Sequence, residues 1–146
     1  MTIRNYQPSD YPAIADIYNA SKLDELTFEK RQHTLLPLES DEPRQADLLS
    51  STIFVYGKDA IQGYSAVKAN TIQSLYVHPR YRRQGVARAL LNVALQQING
   101  AAMLQVVKSN SPSKALYYEY GFVDVEEYEV NYNGVNVTVN RMLRQQ

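Results

Sequence analysis

The chain contains no cysteine and only two histidines, His33 and His78, among its 146 residues. The absence of cysteine excludes disulfides, thiolate nucleophiles and cysteine-ligated zinc, and two histidines so far apart in sequence predict no imidazole metal site. A long apolar run is also missing, because the longest uncharged stretch, residues 89–107, is interrupted by polar residues such as Asn92 and Gln96. We therefore expect a soluble cytoplasmic protein without a signal peptide, a membrane span or a metal.

The composition predicts an ordinary globular core. Hydrophobic residues make up 45% of the chain and charged residues 21%, with only six glycines and six prolines, which excludes disordered and low-complexity classes. A length of 146 residues is typical of one domain, so a single domain over residues 1–146 is predicted.

Acidic residues are absent from a long central stretch, residues 60–118. The formal net charge of the chain is zero, but this stretch holds seven bases and no acid, while the flanks hold all 15 acids and the other eight bases. Such a stretch is suited to an anionic ligand, although a chance cluster of solvated bases would give the same count. The seven bases are Lys68, Arg80, Arg82, Arg83, Arg88, Lys108 and Lys114.

The hydrophobic periodicity predicts an α/β protein. A first strand at 2–6 precedes a helix capped by Ser9 or Asp10, and residues 23–51 are polar and irregular, as in a segment that covers a site. The remaining predicted elements are strands at 52–56, 61–68, 71–77, 102–107, 123–132 and 135–143, a helix at 85–99, and a helix that is capped by Ser111 and stopped by Gly121.

These elements predict a mixed, mostly antiparallel sheet of about seven strands with about four helices. Short connections between residues 52 and 77 favour an antiparallel meander, and Asn133-Gly134 is a strong hairpin signal. The helix at 85–99 is expected to cross over and to pair strand 71–77 with strand 102–107 in parallel.

The segment Leu75–Arg88 joins a strand, an arginine-rich loop and a helix, with the sequence L-Y-V-H-P-R-Y-R-R-Q-G-V-A-R. A helix N-terminus offers unpaired N–H groups and a partial positive charge, and Gly85 and Ala87 let a ligand come close to the backbone. The segment therefore predicts a cradle for a diphosphate.

In this context the fragment Arg82-x-x-Gly85-x-Ala87 resembles the best-known motif of the GNAT superfamily, the acetyl-CoA-dependent N-acetyltransferases. A second motif of that family is matched by Asn110, Tyr117 and Gly121-Phe122, with the family's spacing between them. The order of elements over residues 2–143 is also similar, so the resemblance covers nearly the whole chain.

The resemblance implies the GNAT fold, acetyl-CoA as co-substrate and direct transfer of its acetyl group to a primary amine, without a metal. Backbone groups of Leu75–Val77 would bond the pantetheine arm and the thioester carbonyl, and Tyr117 would be the catalytic general acid. Asn110 would contact the pantetheine or the acetyl end, although a turn residue is the alternative. The residues implied to bind the cofactor are Leu75, Tyr76, Val77, Arg82, Arg83, Gln84, Gly85, Val86, Ala87, Arg88, Asn110 and Tyr117.

The chain departs from the family where a general base is expected, because the matching positions carry Gln73 and Gln105, which cannot accept a proton. The hypothesis at this point is that a water chain removes the amine's proton, or that the amine arrives deprotonated. Side-chain bases outside residues 60–118 are the alternative, and the candidates are Glu25, Glu29, His33, Glu126, Glu127 and Glu129.

The acceptor is expected between the covering segment, residues 22–50, and the terminal hairpin, both of which are acidic and would attract a cationic amine. A polyamine, an amino sugar, an amino acid and a protein amine all remain open. Two other functions remain as alternatives, a non-catalytic acyl-CoA sensor of the same fold and, less well supported, a nucleic-acid-binding protein. The aromatic hairpin at 128–139 is typical either of a homodimer interface or of an ordinary sheet edge.

Overall fold

The computed structural model describes residues 2–145 and contains one seven-stranded sheet with four α-helices. Four short 3-10 turns join these elements, at Pro8–Asp10, Lys22–Leu26, Leu38–Ser40 and Pro79–Tyr81. The strands are β1 (Ile3–Asn5), β2 (Thr52–Tyr56), β3 (Gly63–Lys68), β4 (Thr71–Val77), β5 (Ala102–Val107), β6 (Val123–Tyr132) and β7 (Val135–Arg144). The helices are α1 (Tyr11–Ser21), α2 (Glu42–Leu49), α3 (Val86–Gln96) and α4 (Ser111–Glu119).

The strand order is β1-β2-β3-β4-β5-β7-β6, and the predicted mixed sheet is confirmed. Every neighbouring pair is antiparallel except β4 and β5, which α3 connects as a parallel crossover. No helix within residues 2–145 is long and apolar enough to cross a bilayer.

The pairing of β4 with β5 is much shorter than predicted. Only Thr71 with Met103 and Ile72 with Leu104 are paired, and beyond them the two strands separate. The cause lies on the other side of β4, where Ala66 pairs with Ser74 but Val67 pairs with Ile72. Gln73 is thus an extra residue in the ladder, a β-bulge that bends the strand. The bend opens a wedge-shaped gap in the middle of the sheet.

The two faces of the sheet are covered by different helices. On one face, α1 places Ile14, Ile17 and Tyr18 against Ile53 and other residues of β2 and β3. On the other face, α3 and α4 pack their apolar sides in a core that includes Leu91, Ala94, Tyr117, Phe122 and Met142. Alternation along β2 explains the division, because Val55 belongs to the first core and Phe54 to a cluster under α3.

Close contact between α3 and the sheet depends on Gly63. A Cβ atom at this position would lie 2.8 Å from the carbonyl oxygen of Tyr76 and 3.1 Å from side-chain atoms of Val86 and Leu90. Any side chain would therefore push α3 away from β3 and β4. Gly63 thus allows the first turn of α3 to lie beside the C-terminal end of β4.

Several predicted boundaries and caps were wrong. Strand β1 is shorter than 2–6, and α3 ends three residues before the expected position. Helix α4 is capped by the Asn110 side chain, which accepts from the Ser113 amide, and not by Ser111. Asp10 precedes α1 without capping it through its side chain, because both of its carboxylate oxygens accept from Arg4 at 2.8 Å.

Candidate active site

The gap between β4 and β5 holds a cavity of about 770 Å³ that extends from the N-terminus of α3 to α4. It will be called the first cavity. Eleven of the twelve residues expected to bind the cofactor line it, whereas Gln84 does not and is exposed to solvent. The eleven are Leu75, Tyr76, Val77, Arg82, Arg83, Gly85, Val86, Ala87, Arg88, Asn110 and Tyr117.

One end of the first cavity is the N-terminus of α3, and it has no side-chain cap. Among the described residues, the backbone amides from Arg83 to Arg88 find no acceptor, and the first helical bond is donated by Ala89 to Gly85. Gly85 has a φ of +80°, with open space where a side chain would project. Unpaired amides at the positive end of a helix dipole are suited to bind an anion, which fits the diphosphate of coenzyme A.

The arginines around this end differ in what they contact. Arg82 donates to Asp24 at 2.7 Å and to the Val77 carbonyl, and Arg88 pairs with Glu119 at 2.7 Å. Arg83 has a φ of +62° and lines the first cavity, and no described carboxylate lies within ion-pair distance of it. Of the predicted arginines, Arg83 therefore has the side-chain charge that is free for a ligand.

The edge of β4 presents backbone groups to the gap. The His78 amide donates to the Gln62 carbonyl at 2.8 Å. Because hydrogen-bonded pairs alternate along an antiparallel ladder, the backbone N–H and C=O groups of Leu75 and Val77 point away from β3. The Val77 carbonyl indeed accepts from Ser21 Oγ at 3.2 Å, on the side away from β3. Since β5 has separated here, the Leu75 N–H faces the gap and is available to stabilise an oxyanion.

The far end of the first cavity is formed by α4. Tyr117 lies on the inward face of this helix and is 9% exposed. Its ring packs edge-on against that of Phe122, with the ring centroids 5.8 Å apart. Its hydroxyl makes no hydrogen bond within residues 2–145, and burial, with the nearby charge of Glu25, raises the pKa of Tyr117 well above its ordinary value. Tyr117 is therefore a protonated phenol at the wall of the cavity.

A second cavity, of about 750 Å³, borders the same gap. Gln73, Tyr76 and Gln105 are among the residues that line both cavities, so the two spaces meet at the bulge where β4 and β5 separate. The second cavity extends from there to α2, which is part of the covering segment, and to β7, which is part of the terminal hairpin. Gln73 and Gln105 both lie at this junction, and neither side chain can accept a proton.

Among residues 2–145, Glu25 is the one charged residue that lines both cavities. Its Oε1 accepts from the Tyr76 hydroxyl at 2.6 Å, and its Oε2 lies 3.3 Å from Lys22 Nζ. Burial, together with the charge of Glu25, raises the pKa of Tyr76, so that this hydroxyl stays a donor. The carboxylate is held in place at the point where the two cavities meet.

The other side-chain bases considered from the sequence line neither cavity. Glu29 accepts from Ser109, and His33 packs beside Tyr132 with its ring nitrogens buried and without partners among the described residues. Glu126 and Glu127 pair with Arg141 and Lys108. Glu129 is exposed on β6.

Sequence reasoning missed Lys22 and Arg44, both of which line the second cavity. They lie in a polar, irregular stretch whose periodicity is too weak to show which side chains point inward. Only the packing of this segment on the sheet places them. Within residues 2–145, no group of three or more histidines and carboxylates is close enough to hold a metal ion.

Comparison with known proteins gives one family. The model described as "Acetyltransferase (GNAT) domain" matches residues 23–143. Among curated proteins, none has a sequence that matches this chain significantly.

Solved structures share the fold at low sequence identity. A GCN5-related N-acetyltransferase from Rhodopseudomonas palustris is 19% identical, with 99% of this chain and 94% of that chain covered and a TM-score of 0.83. A ribosomal-protein-alanine N-acetyltransferase from Brucella melitensis is 22% identical, with 100% of both chains covered and a TM-score of 0.72. A GNAT superfamily phosphinothricin acetyltransferase from Sinorhizobium meliloti, in complex with acetyl-CoA, is 21% identical, with 99% and 87% covered and a TM-score of 0.72.

Proposed function

The chain belongs to the GNAT acetyltransferase family, and from this premise we propose that it transfers the acetyl group of acetyl-CoA to a primary amine. The observation that carries the proposal is the first cavity, which joins the uncapped N-terminus of α3 to Tyr117 and meets the second cavity at the gap between β4 and β5. A donor and an acceptor that enter from the two cavities would meet at this gap.

The residues of the first cavity fit acetyl-CoA. Its diphosphate would be held by the free amides from Arg83 to Arg88, with the Arg83 guanidinium nearby. The pantetheine arm would lie along the edge of β4, near Leu75, and reach Asn110. The side-chain oxygen of Asn110, Oδ1, also caps α4. A structure of similar fold in complex with acetyl-CoA supports this compound as the co-substrate.

Two groups of this chain would act on the reacting atoms. Acetyl-CoA, when bound, supplies a thioester whose acyl carbon accepts the amine nitrogen, and coenzyme A leaves as the thiol. The Leu75 N–H would stabilise negative charge on the carbonyl oxygen, and Tyr117 would give its phenolic proton to the sulfur as the carbon–sulfur bond breaks. The amine nitrogen loses one proton as the amide bond forms, and the Tyr117 phenolate regains one proton from solvent, so the protons balance.

The proton lost by the amine needs an acceptor, and Gln73 and Gln105 cannot provide one. Gln105 instead accepts from the Tyr128 hydroxyl at 2.6 Å. Glu25 lines both cavities and would take the proton, either directly or through a water molecule. This role would replace the hypothesis of a water chain without a side-chain base. The other possibility raised by the sequence, an amine that arrives deprotonated, needs no base at all.

The experiment that tests the proposal is thiol release from acetyl-CoA by the wild-type chain, with a mixed panel of amines and with no amine. Amine-dependent release, together with a mass increase of one acetyl group on an amine, is expected. Binding of acetyl-CoA without release on any amine would contradict the proposal and favour the alternative, a non-catalytic acyl-CoA sensor. If the protein neither binds acetyl-CoA nor releases thiol, both the acetyltransferase and the sensor are rejected.

A further inference from the structure

The second cavity is lined by equal numbers of positive and negative side chains. The sequence predicted an acidic surface for a cationic amine, but most of those acids lie elsewhere. The charged residues that line the second cavity are Lys22, Glu25, Asp41, Arg44, Asp47 and Arg141. Three cations and three anions make this lining electrically balanced, so it does not favour a polyamine.

Two of these six charges are neutralised from outside the cavity. Asp47 pairs with Lys68 at 3.3 Å, and Arg141 pairs with Glu126 at 3.2 Å while its guanidinium lies 5.5 Å from the Tyr128 ring. Neither is left to meet a ligand charge. The electrostatics of the cavity therefore depend on the remaining four residues.

Arg44 is the cation of this cavity that is least satisfied by the protein. Its Nε lies 3.5 Å from Asp41 Oδ2, but its side chain makes no hydrogen bond to any residue within 2–145, so both terminal nitrogens are free. The guanidinium carbon lies 5.9 Å from the Tyr18 ring, and the side chain is 42% exposed. A guanidinium oriented by an aromatic ring, with its two-nitrogen end open, matches the two oxygens of a carboxylate.

Glu25 is the complementary anion. Lys22 Nζ and the Tyr76 hydroxyl fix its two oxygens, and it lies where the second cavity meets the first. Glu25 and Arg44 both line the second cavity, and the Arg44 guanidinium carbon lies 5.9 Å from the ring of the buried Tyr18. One small molecule in the second cavity can therefore reach a carboxylate at the gap and a guanidinium further out.

We propose that the acceptor is a free amino acid, whose ammonium group is held by Glu25 and whose carboxylate is held by Arg44. This assignment rests on the proposed function, because it places the amine at the gap where the acetyl group would be delivered. Apolar side chains such as Leu26, Leu36 and Val137 also line the second cavity and leave room for the side chain of the amino acid. A polyamine or an amino sugar would leave Arg44 without a partner.

The test compares free amino acids with their carboxamides. Each L-amino acid and its carboxamide is assayed for acetylation, together with spermidine, glucosamine and a lysine-containing peptide, using the wild type, Arg44→Gln and Arg31→Gln. Arg31 is an exposed base of the same segment that lines neither cavity, so its substitution controls for the loss of one charge. Since a carboxamide makes the neighbouring amine less basic, intrinsic reactivity favours the carboxamide, and a preference for the free acid reports on binding.

We expect at least one free amino acid to have the highest kcat/KM of the panel, at least about 10-fold above its carboxamide. Arg44→Gln should lower kcat/KM for the acid by about 10- to 100-fold and leave that for the carboxamide nearly unchanged, because a charged hydrogen bond is lost only with the acid. Equal use of acid and carboxamide, an equal loss for both in Arg44→Gln, or a preference for spermidine, glucosamine or the peptide would overturn the inference while leaving the proposed function in place.

If no amine is acetylated, the proposed function fails, and calorimetric titration of amino acids into the protein with coenzyme A present decides the inference separately. Binding that is lost in Arg44→Gln and kept in Arg31→Gln supports it. Absence of amino-acid binding to the wild type overturns it.

Discussion

Tyr117 is the residue on which the proposed chemistry depends most. Replacement with Phe removes one hydroxyl from the wall of the first cavity and keeps the ring that packs on Phe122. We expect kcat to fall by about 100-fold, the usual contribution of a general acid, while the Kd for acetyl-CoA and the stability change little. Steady-state thiol release and calorimetry measure the two quantities.

Tyr118 provides the matched control, because it is the next residue along the same helix and its hydroxyl donates to Asp124 on the surface. Tyr118→Phe should keep wild-type kcat. Because burial raises the pKa of Tyr117, loss of its acid form as the pH rises begins only above its ordinary value of about 10. A Tyr117→Phe enzyme with more than half of the wild-type kcat would contradict the assigned role.

Variants of Glu25 and His33 distinguish which of the two residues is the general base. Glu25→Gln should lower kcat/KM by about 100-fold, because it removes the carboxylate at the junction of the cavities. His33→Ala should leave kcat/KM and its pH profile unchanged, since His33 lines neither cavity. A limb near pH 6 to 7 that His33→Ala abolishes would show that the histidine, and not Glu25, takes the proton.

At the scale of single residues, the sequence allows prediction of the site residues that belong to a motif. Asn110, Tyr117 and Gly85 lie within short segments whose spacing is fixed by one helix or one turn. Arg44 and Lys22 could not be predicted, because their side chains reach the second cavity only when an irregular segment folds across the sheet.

Among the elements, the N-terminus of α3 is the one that would bind the diphosphate in the proposed function. Gly85→Ala should lower the free energy of unfolding by about 1 to 2 kcal/mol, because φ is +80° while the site of the new Cβ is open. It should also weaken acetyl-CoA binding, since relief of this strain turns the free amides away from the first cavity. Chemical denaturation and calorimetry measure the two effects.

Gly134, in the turn between β6 and β7, is the control for backbone strain alone. Its φ is +89° and nothing lies near its Cβ position, so Gly134→Ala should cost a similar free energy of unfolding. Its effect on the Kd for acetyl-CoA should be absent. If both variants weaken acetyl-CoA binding equally, the α3 N-terminus is not the diphosphate site.

The strands and most of their pairings were predictable from the sequence, but the register of β4 against β3 was not. Alternation of apolar residues predicted β4 and β5 with their observed bounds, Thr71–Val77 and Ala102–Val107. The extra residue at Gln73 has no signature in a single sequence, because a bulge is defined by the register with the partner strand. The gap that forms the site is thus a property of the assembled sheet.

At the scale of the whole molecule, the acid-free central stretch proves to be mostly neutralised by the flanks. Five of its seven bases pair with acids from outside the stretch, namely Lys68–Asp47, Arg82–Asp24, Arg88–Glu119, Lys108–Glu127 and Lys114–Asp124. The charge segregation seen in the sequence therefore serves largely to join segments. It leaves Arg80 and Arg83, near the start of α3, without ion-pair partners among the described residues.

The most direct test of the account is thermal unfolding with and without acetyl-CoA, for the wild type, Arg83→Gln and Lys58→Gln. Lys58 is an exposed base that lines neither cavity, so its variant has the same change in charge. At about 100 times the Kd, acetyl-CoA should add about 2.7 kcal/mol and raise the Tm of the wild type and of Lys58→Gln by about 5 to 10 °C. Arg83→Gln should show a clearly smaller rise at the same concentration. No rise for the wild type at millimolar acetyl-CoA would contradict the assignment of the first cavity to this ligand.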